Sequence, residues 1–276
     1  MSIGRRDLEA LEIDLLVQAL YEAYGFDFRQ YSRPSLRRRI WRRVEAEGLK
    51  TVSALTDRAL HDPRVVERLI SDLSVNVSAM FRDPTFFAVF RERVVPMLRT
   101  YPTIRIWNAG CSTGEEAYSL AILMKECGLY DRTRIYATDM NQAALDHARG
   151  GSFPIDKMRE YTANYIDAGG SRSFSEYYTA AGDRVVFHSS LVENVVFAQH
   201  NLVTDRSFNE FQVVLCRNVM IYFDRQLQAS VHDLLYDSLV SLGVLGLGNR
   251  ESLNFTAHAA DYERLDDHHQ LYRKVR

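Results

Sequence analysis

The chain has little cysteine. Three residues in 276, Cys111, Cys127 and Cys216, are an odd number without metal-ligand spacing, so they offer no disulfide framework and fit a reduced, cytoplasmic setting. No apolar run approaches 18 residues, so no membrane-spanning helix is expected. The opening residues Met1-Ser2-Ile3-Gly4-Arg5-Arg6 lack the apolar core of a signal peptide. Charge of one sign is also scarce: the formal net charge is −2, which gives no overall reason to expect a nucleic-acid or membrane partner. Repeats and low-complexity tracts are missing. What is present, 46% hydrophobic and 25% charged residues, describes an ordinary globular protein. The length suffices for one large domain and a small one, and the expectation is a monomer.

The organisation changes near residue 75. Before it, apolar residues recur at helical spacing: Leu11, Leu15, Val17, Leu20 and Tyr24, then Leu36, Ile40 and Val44, then Leu55 and Ala59, then Val65, Leu69 and Leu73. Pro34, Gly48 and Pro63 punctuate the series. Residues 1–75 therefore read as an all-helical domain, 76–103 as a linker with a connecting helix, and 104–276 as an α/β domain. Strands are expected at 104–109, 133–138, 195–200, 211–216 and near 243–248, with helices at 115–127, 141–149 and 225–241. Such alternation predicts a mostly parallel sheet with helices on both faces. The stretch 150–194 breaks the rhythm and reads as a helix followed by a small antiparallel insertion.

One segment carries most of the chemistry. The apolar strand Ile104–Ala109 runs into Gly110-Cys111-Ser112-Thr113-Gly114, and a nearly all-apolar helix begins at Glu115-Glu116. Glycine lets the main chain approach a ligand without a Cβ clash. Twenty-five residues after Gly114, a second strand ends in Asp139, where nucleotide-binding α/β folds hold ribose hydroxyls. The half-sheet reads as an adenosine site. Two carboxylates in the first helical turn would repel a pyrophosphate. They suit a cationic, hydroxyl-bearing ligand, which describes S-adenosylmethionine; the competing reading is an ordinary tight strand–helix turn.

Asn76-Val77-Ser78-Ala79-Met80-Phe81-Arg82-Asp83-Pro84 resembles the T-N-x-T-x-F-F-R-D/E segment of the chemotaxis receptor methyltransferases, the CheR family. The resemblance continues through Ala109–Ser119 and resumes at Ala137-Thr138-Asp139, at Asn201-Leu202 and at Leu215-Cys216-Arg217-Asn218-Val219-Met220-Ile221-Tyr222-Phe223-Asp224. It spans roughly residues 10–275 in the family's order. It implies a Rossmann-like S-adenosylmethionine-dependent methyltransferase sheet with an N-terminal helical domain and a small antiparallel insertion. It also implies transfer of methyl groups to receptor glutamates, with S-adenosylhomocysteine as the second product. Departures are Ser78 for the commoner Thr, Met80 for a Phe, and Ser241–Glu251 in place of L-x-P-G-G-x-L-x-x-G-H-S-E. The altered stretch bears on the protein substrate more than on the chemistry.

Carried onto this chain, the resemblance implies cofactor contacts at Asn76, Ser78, Arg82, Gly110, Glu116, Asp139, Asn201, Leu202, Arg217 and Asn218, and catalytic roles for Arg82 and Tyr222. The chemistry agrees on its own terms. A glutamate carboxylate, with an ordinary pKa of about 4.3, is already an anionic nucleophile at neutral pH, so alignment matters more than a general base. None of the motifs contains a histidine. Arg82 offers a fork that matches a carboxylate, and Tyr222 a hydroxyl or a ring face. The structural alternatives are an interface ion pair for Arg82, a core tyrosine for Tyr222, a helix cap for Asp139 and turn residues for Asn201 and Asn218. For Asp266-Asp267-His268-His269 a solvated loop outweighs a metal cluster.

Seven arginines, Arg29, Arg33, Arg37, Arg38, Arg39, Arg42 and Arg43, fall within fifteen residues that hold no acidic side chain. The family reading makes this face, chiefly Arg38, Arg39 and Arg42, the docking surface for the acidic methylation helices of a cytoplasmic receptor domain. A solvated helix face balanced by Glu45 and Glu47 is the simpler alternative. For a nucleic-acid patch the aromatic interleaving is poor, with Trp41 the one aromatic within Arg37–Arg43. Two other function classes stay open: a methyltransferase of nucleic acid or small molecules, and a non-catalytic cofactor-binding signalling protein.

Overall fold

The computed structural model describes residues 5–74, 78–254 and 256–276. The chain forms two compact units, Met1–Asn76 with Tyr222–Ser230, and Val77–Ile221 with Val231–Arg276. The first holds helices α1 (Arg5–Tyr24), α2 (Arg33–Ala46), α3 (Val52–His61) and α4 (Pro63–Leu73). Local chemistry sets several of its boundaries. The Thr51 side chain caps α3 by accepting from the Ala54 amide at 3.1 Å, and Asp62 caps α4 with Pro63 at its first position.

Along α1 the apolar rows are offset from the sequence expectation. Ile13, Leu16, Val17 and Leu20 are buried, whereas Leu11 and Leu15 are 45% and 56% exposed. Leu8, Leu11 and Leu15 form a second apolar row at helical spacing. Periodicity finds both rows and cannot say which one meets α3. In the other three helices the expected positions, Leu36, Ile40, Val44, Leu55, Ala59, Val65, Leu69 and Leu73, are all buried.

The second unit opens with α5 (Pro84–Val89), a π-helical turn (Phe90–Val94) and α6 (Val95–Leu98). It continues with β1 (Ile104–Ala109), α7 (Glu115–Glu126), β2 (Thr133–Asp139), α8 (Gln142–Gly150), β3 (Ser152–Pro154), α9 (Met158–Asp167), β4 (Tyr178–Ala181), β5 (Arg184–Phe187), β6 (Val195–Gln199) and β7 (Phe211–Cys216). Helix α10 (Arg225–Asp237) begins in the first unit and ends in the second. Then come β8 (Leu239–Leu247), β9 (Tyr262–Arg264) and β10 (Leu271–Lys274). The large sheet has the order β6-β2-β1-β7-β8-β10-β9, and a small sheet the order β3-β5-β4.

The first five strands of the large sheet are mutually parallel, while β10 is antiparallel to both β8 and β9. Every residue of β7 is buried, as expected of a central parallel strand covered on both faces. The small sheet is antiparallel throughout; its Phe153 and Phe187 pack on each other and on Tyr118 of α7.

Three expectations need correction. The helix expected over 225–241 ends at Asp237, because Ser238 turns the chain: its carbonyl accepts from the Phe211 amide at 2.8 Å and commits the next residues to pairing with β7. The insertion does not simply follow its helix, since β3 precedes α9 and pairs with β5. The strands β9 and β10 were not foreseen; they are three and four residues long and too short for an alternating pattern.

His232 of α10 is 4% exposed, its Nδ1 has no hydrogen-bond partner among the described residues, and burial pushes its pKa down to about 4. The folded value lies below the ordinary 6.5, so the unfolded chain takes up the proton first and stability falls as the pH drops from about 6.5 towards 4. Between pH 7 and pH 5 this one group should remove about 2 kcal/mol. Urea unfolding of wild type and His232→Gln at both pH values measures it; equal acid losses in the two proteins would rule the assignment out.

Candidate active site

The parallel strands point their C-terminal ends at one edge, where ligands bind in open α/β sheets. β1 ends in Asn108-Ala109, and the glycine turn is strapped to β2 by the Gly110 and Cys111 amides, which both donate to the Thr138 carbonyl at 2.8 and 2.9 Å. Gly110 (φ +74°) and Gly114 (φ +96°) are left-handed. A Cβ at Gly110 would stand 2.5 Å from Val219 Cγ2, and one at Gly114 2.7 Å from Ala148 Cβ. Both glycines are therefore fixed by conformation and by space.

Asp139 ends β2 under this turn. It is 9% exposed, and its two oxygens accept from the Ser112 and Asn141 amides, each at 2.9 Å. Burial raises its pKa, opposed by those N–H groups. Capping of α8 falls instead to Asn141, whose side chain accepts from Ala143 and Ala144. Asp139 joins the glycine turn rather than capping a helix.

The two glutamates of the first helical turn part ways. Glu115 is buried and takes the Thr113 hydroxyl at 2.7 Å and the Tyr161 hydroxyl at 3.4 Å. Glu116 accepts from Asn108 Nδ2 at 2.8 Å and pairs with Arg217 at 2.5 Å. The Arg217 side chain, 1% exposed, also reaches Asp83 at 2.9 Å and the Arg82 carbonyl at 3.0 Å, and lies 4.0 Å over the Phe86 ring. Two buried atoms of this network, Asn108 Oδ1 and Arg217 Nε, have no partner among the described residues.

Arg82 is half-buried on a turn between two left-handed non-glycine residues, Phe81 (φ 49°) and Asp83 (φ 57°). Such backbone costs about 1–3 kcal/mol per residue. The Phe81 amide donates to Ser119 Oγ at 2.8 Å, and Asn164 to the Met80 carbonyl at 3.0 Å. Ser78 is half-buried just before this turn, and Asn76 lies outside the described residues. Asn201 uses its side-chain oxygen in a local turn, accepting from Val203 at 3.0 Å, and Leu202 is the next residue of that turn. Asn218 is left-handed (φ 61°) and its amide donates to Glu251.

Tyr222 belongs to the helical unit. Its carbonyl accepts from the Ser32 amide at 2.8 Å, and the Arg39 guanidinium lies 4.9 Å over its ring. Arg39 is turned inward, donating to the Asp72 and Leu73 carbonyls at 3.1 and 3.2 Å, and burial lowers its pKa. Four neighbouring arginines meet carboxylates from other segments: Arg33 pairs with Asp14, Arg37 with Glu9, and Arg42 and Arg43 with Asp72. Arg29 holds Asp27 at 2.7 Å. Arg38 is exposed and has no ion pair among the described residues. The unbalanced charge seen in the sequence is thus largely met within the unit; Glu47 takes part through Arg43 at 3.1 Å, and Glu45 has no ion pair among the described residues.

The geometry defines a Rossmann-like methyltransferase: a glycine turn with an acidic residue at the tip of the next strand, flanked by an arginine–carboxylate network in place of a phosphate cradle. The profile of "CheR methyltransferase, SAM binding domain" matches residues 76–268, and that of "CheR methyltransferase, all-alpha domain" matches 11–74. The chain belongs to the CheR family of S-adenosylmethionine-dependent methyltransferases. It is 49% identical to the Cher3 protein of Pseudomonas putida (strain KT2440), over 96% of this chain and 97% of that one. The chemotaxis protein methyltransferase of Listeria innocua is 29% identical, over 86% of this chain and 87% of its own. A 104.1 kDa protein of Rhodobacter capsulatus is 29% identical over 100% of this chain, which spans only 29% of that protein's length.

The residues fit the cofactor. A zwitterionic amino acid brings one cationic donor and one anionic acceptor, and among the described residues the buried network leaves one acceptor, Asn108 Oδ1, and one donor, Arg217 Nε, unmet. Sequence reasoning passed over Asn108, whose signal was its place at the end of the strand feeding the glycine turn. It also passed over Glu251, the one carboxylate of the departing 241–251 stretch and the match to the final Glu of the family's motif.

Proposed function

We propose that the protein methylates glutamate side chains on the cytoplasmic helices of a chemoreceptor-type signalling protein, giving glutamate methyl esters and S-adenosylhomocysteine. The observation that carries this reading is Arg82, presented on a turn strained on both sides and tied through its own carbonyl to Arg217. Strain of this kind persists where the surroundings enforce it for a task. S-adenosylmethionine, when bound, supplies an electrophilic methyl group on a sulfonium. Asp139 is suited to hold ribose hydroxyls, and Gly110, Asn108, Glu116 and Arg217 the amino-acid end. Arg82 is suited to orient the incoming carboxylate, which needs no base because it is already ionised.

In the helical unit, Tyr222 is steadied by Arg39, so Arg39 fits a supporting role better than docking. Arg38, and Arg42, whose side chain stays 69% exposed despite its pairing, remain the docking candidates for an acidic helix. Incubation with radiolabelled methyl donor and receptor cytoplasmic fragments should give label that is released by mild alkali, as carboxyl methyl esters are. Arg82→Ala should cut the rate at least tenfold, about 1.4 kcal/mol of barrier, and leave S-adenosylhomocysteine affinity within a few-fold. Alkali-stable label would point to another acceptor class, and a wild-type rate in Arg82→Ala would remove the orienting role. In the same assay, neutralising Arg38 and Arg42 should mimic added salt; a normal low-salt rate would refute docking there.

A further inference from the structure

We infer that Glu251 is a positioning residue for cofactor binding, whose carboxylate locks the turn after β7 so that Val219 closes onto Gly110. Glu251 is 5% exposed and both of its oxygens are fully used. Oε2 accepts from the Asn218 amide at 2.8 Å and the Gly248 amide at 2.7 Å. Oε1 accepts from Val219 at 2.8 Å and Met220 at 2.7 Å. Three consecutive amides converge on one carboxylate because Asn218 is left-handed and folds them to one side. A concavity of this kind binds anions; here the chain supplies its own.

The cluster does more than close a loop. Gly248 follows β8, Asn218–Met220 follow β7, and Val219 packs on Gly110 after β1, at a distance that admits no Cβ. One carboxylate thereby sets the ends of three adjacent strands, β1, β7 and β8, at the sheet edge where the cofactor site lies. Arg217, beside Asn218, anchors the same turn from its other side through Glu116. Burial pushes the Glu251 pKa up, and the four amides pull against it. No arginine or lysine among the described residues pairs with Glu251, so those amides are its only strong stabilisation.

The inference rests on the glycine turn being the cofactor site, and the tests separate the two ideas. Glutamine keeps the shape but has one acceptor oxygen, so two of the four amides would face an NH₂ group. Glu251→Gln should bind S-adenosylhomocysteine at least tenfold more weakly by calorimetry, with KM for the methyl donor raised more than kcat is lowered. Amide exchange at Asn218, Val219 and Met220 should accelerate. If Glu251 acts through Val219, then Val219→Ala should itself weaken binding, and the double variant should lose less than the sum of the two. Val219→Ala also serves if Glu251→Gln fails to fold.

Unchanged affinity in Glu251→Gln, even with a lowered melting temperature, would make the carboxylate a mere structural prop and overturn the inference. Unchanged affinity in Val219→Ala would do the same. A folded wild type that binds no S-adenosylhomocysteine would overturn the cofactor reading of the site along with it.

Discussion

Glu126→Ala should destabilise the second unit by about 3–5 kcal/mol, the scale for removing one partner of a buried ion pair. The Glu126 side chain is 2% exposed at the last position of α7, where the helix dipole disfavours a negative charge. It is held there by Arg91, by the Tyr165 hydroxyl, by the Tyr177 hydroxyl at 2.9 Å and by the Ser171 amide at 3.2 Å. Burial pushes its pKa up, but the tyrosine hydroxyls and Arg91 prevail and leave it below the ordinary value. Alanine would strand the Arg91 cation, two phenols and an amide, and release α9 and the small sheet from α7. Urea unfolding measures the loss. Arg91→Ala added to Glu126→Ala should cost little more, because the pair acts as one unit. A loss below about 1 kcal/mol would show that water replaces the carboxylate without penalty.

Arg217→Ala should cost about 3–4 kcal/mol, nearer the lower end for a buried pair because Asp83 is 30% exposed and Glu116 14%. It leaves two carboxylates facing each other and removes the guanidinium from the Phe86 ring. Lysine should restore little, since one ammonium cannot serve Glu116, Asp83 and the Arg82 carbonyl with the geometry of a planar fork. Glu116→Gln combined with Arg217→Met should be more stable than Arg217→Met alone, because it removes an unpaired buried charge. The variants should also fail to bind S-adenosylhomocysteine under conditions where they remain folded. Retention of wild-type affinity in a folded Arg217→Ala protein would place the network outside the site.

Much of this was legible in the linear chain. The strands at 104–109 and 211–216 were placed by their apolar runs, and the glycine turn by its spacing, because strand propensity and left-handed backbone are local properties. Two of the three corrected stretches fail for non-local reasons. Ser238–Ser241 leave the helix because β7 offers a pairing edge, and β3 finds its partner thirty-odd residues later in β5. In the helical unit, the arginine series looked uncompensated because Glu9, Asp14 and Asp72 come from α1 and α4.

By itself, then, the sequence determined the α/β plan, the family, the methyl donor and the cluster of motifs at one sheet edge. Each of these depends on short-range pattern or on motif identity. Only the tertiary structure decided which partners each buried carboxylate meets. Glu115 and Glu116 are adjacent in the chain and part by direction around the helix, one towards the insertion and one towards Arg217. Glu126 and Glu251 carry no sequence signature of burial. Their roles depend on tyrosines and backbone amides that lie far along the chain or become convergent only through a left-handed residue such as Asn218. A charged side chain can be buried only when several distant donors arrive together, and that coincidence is a property of the fold.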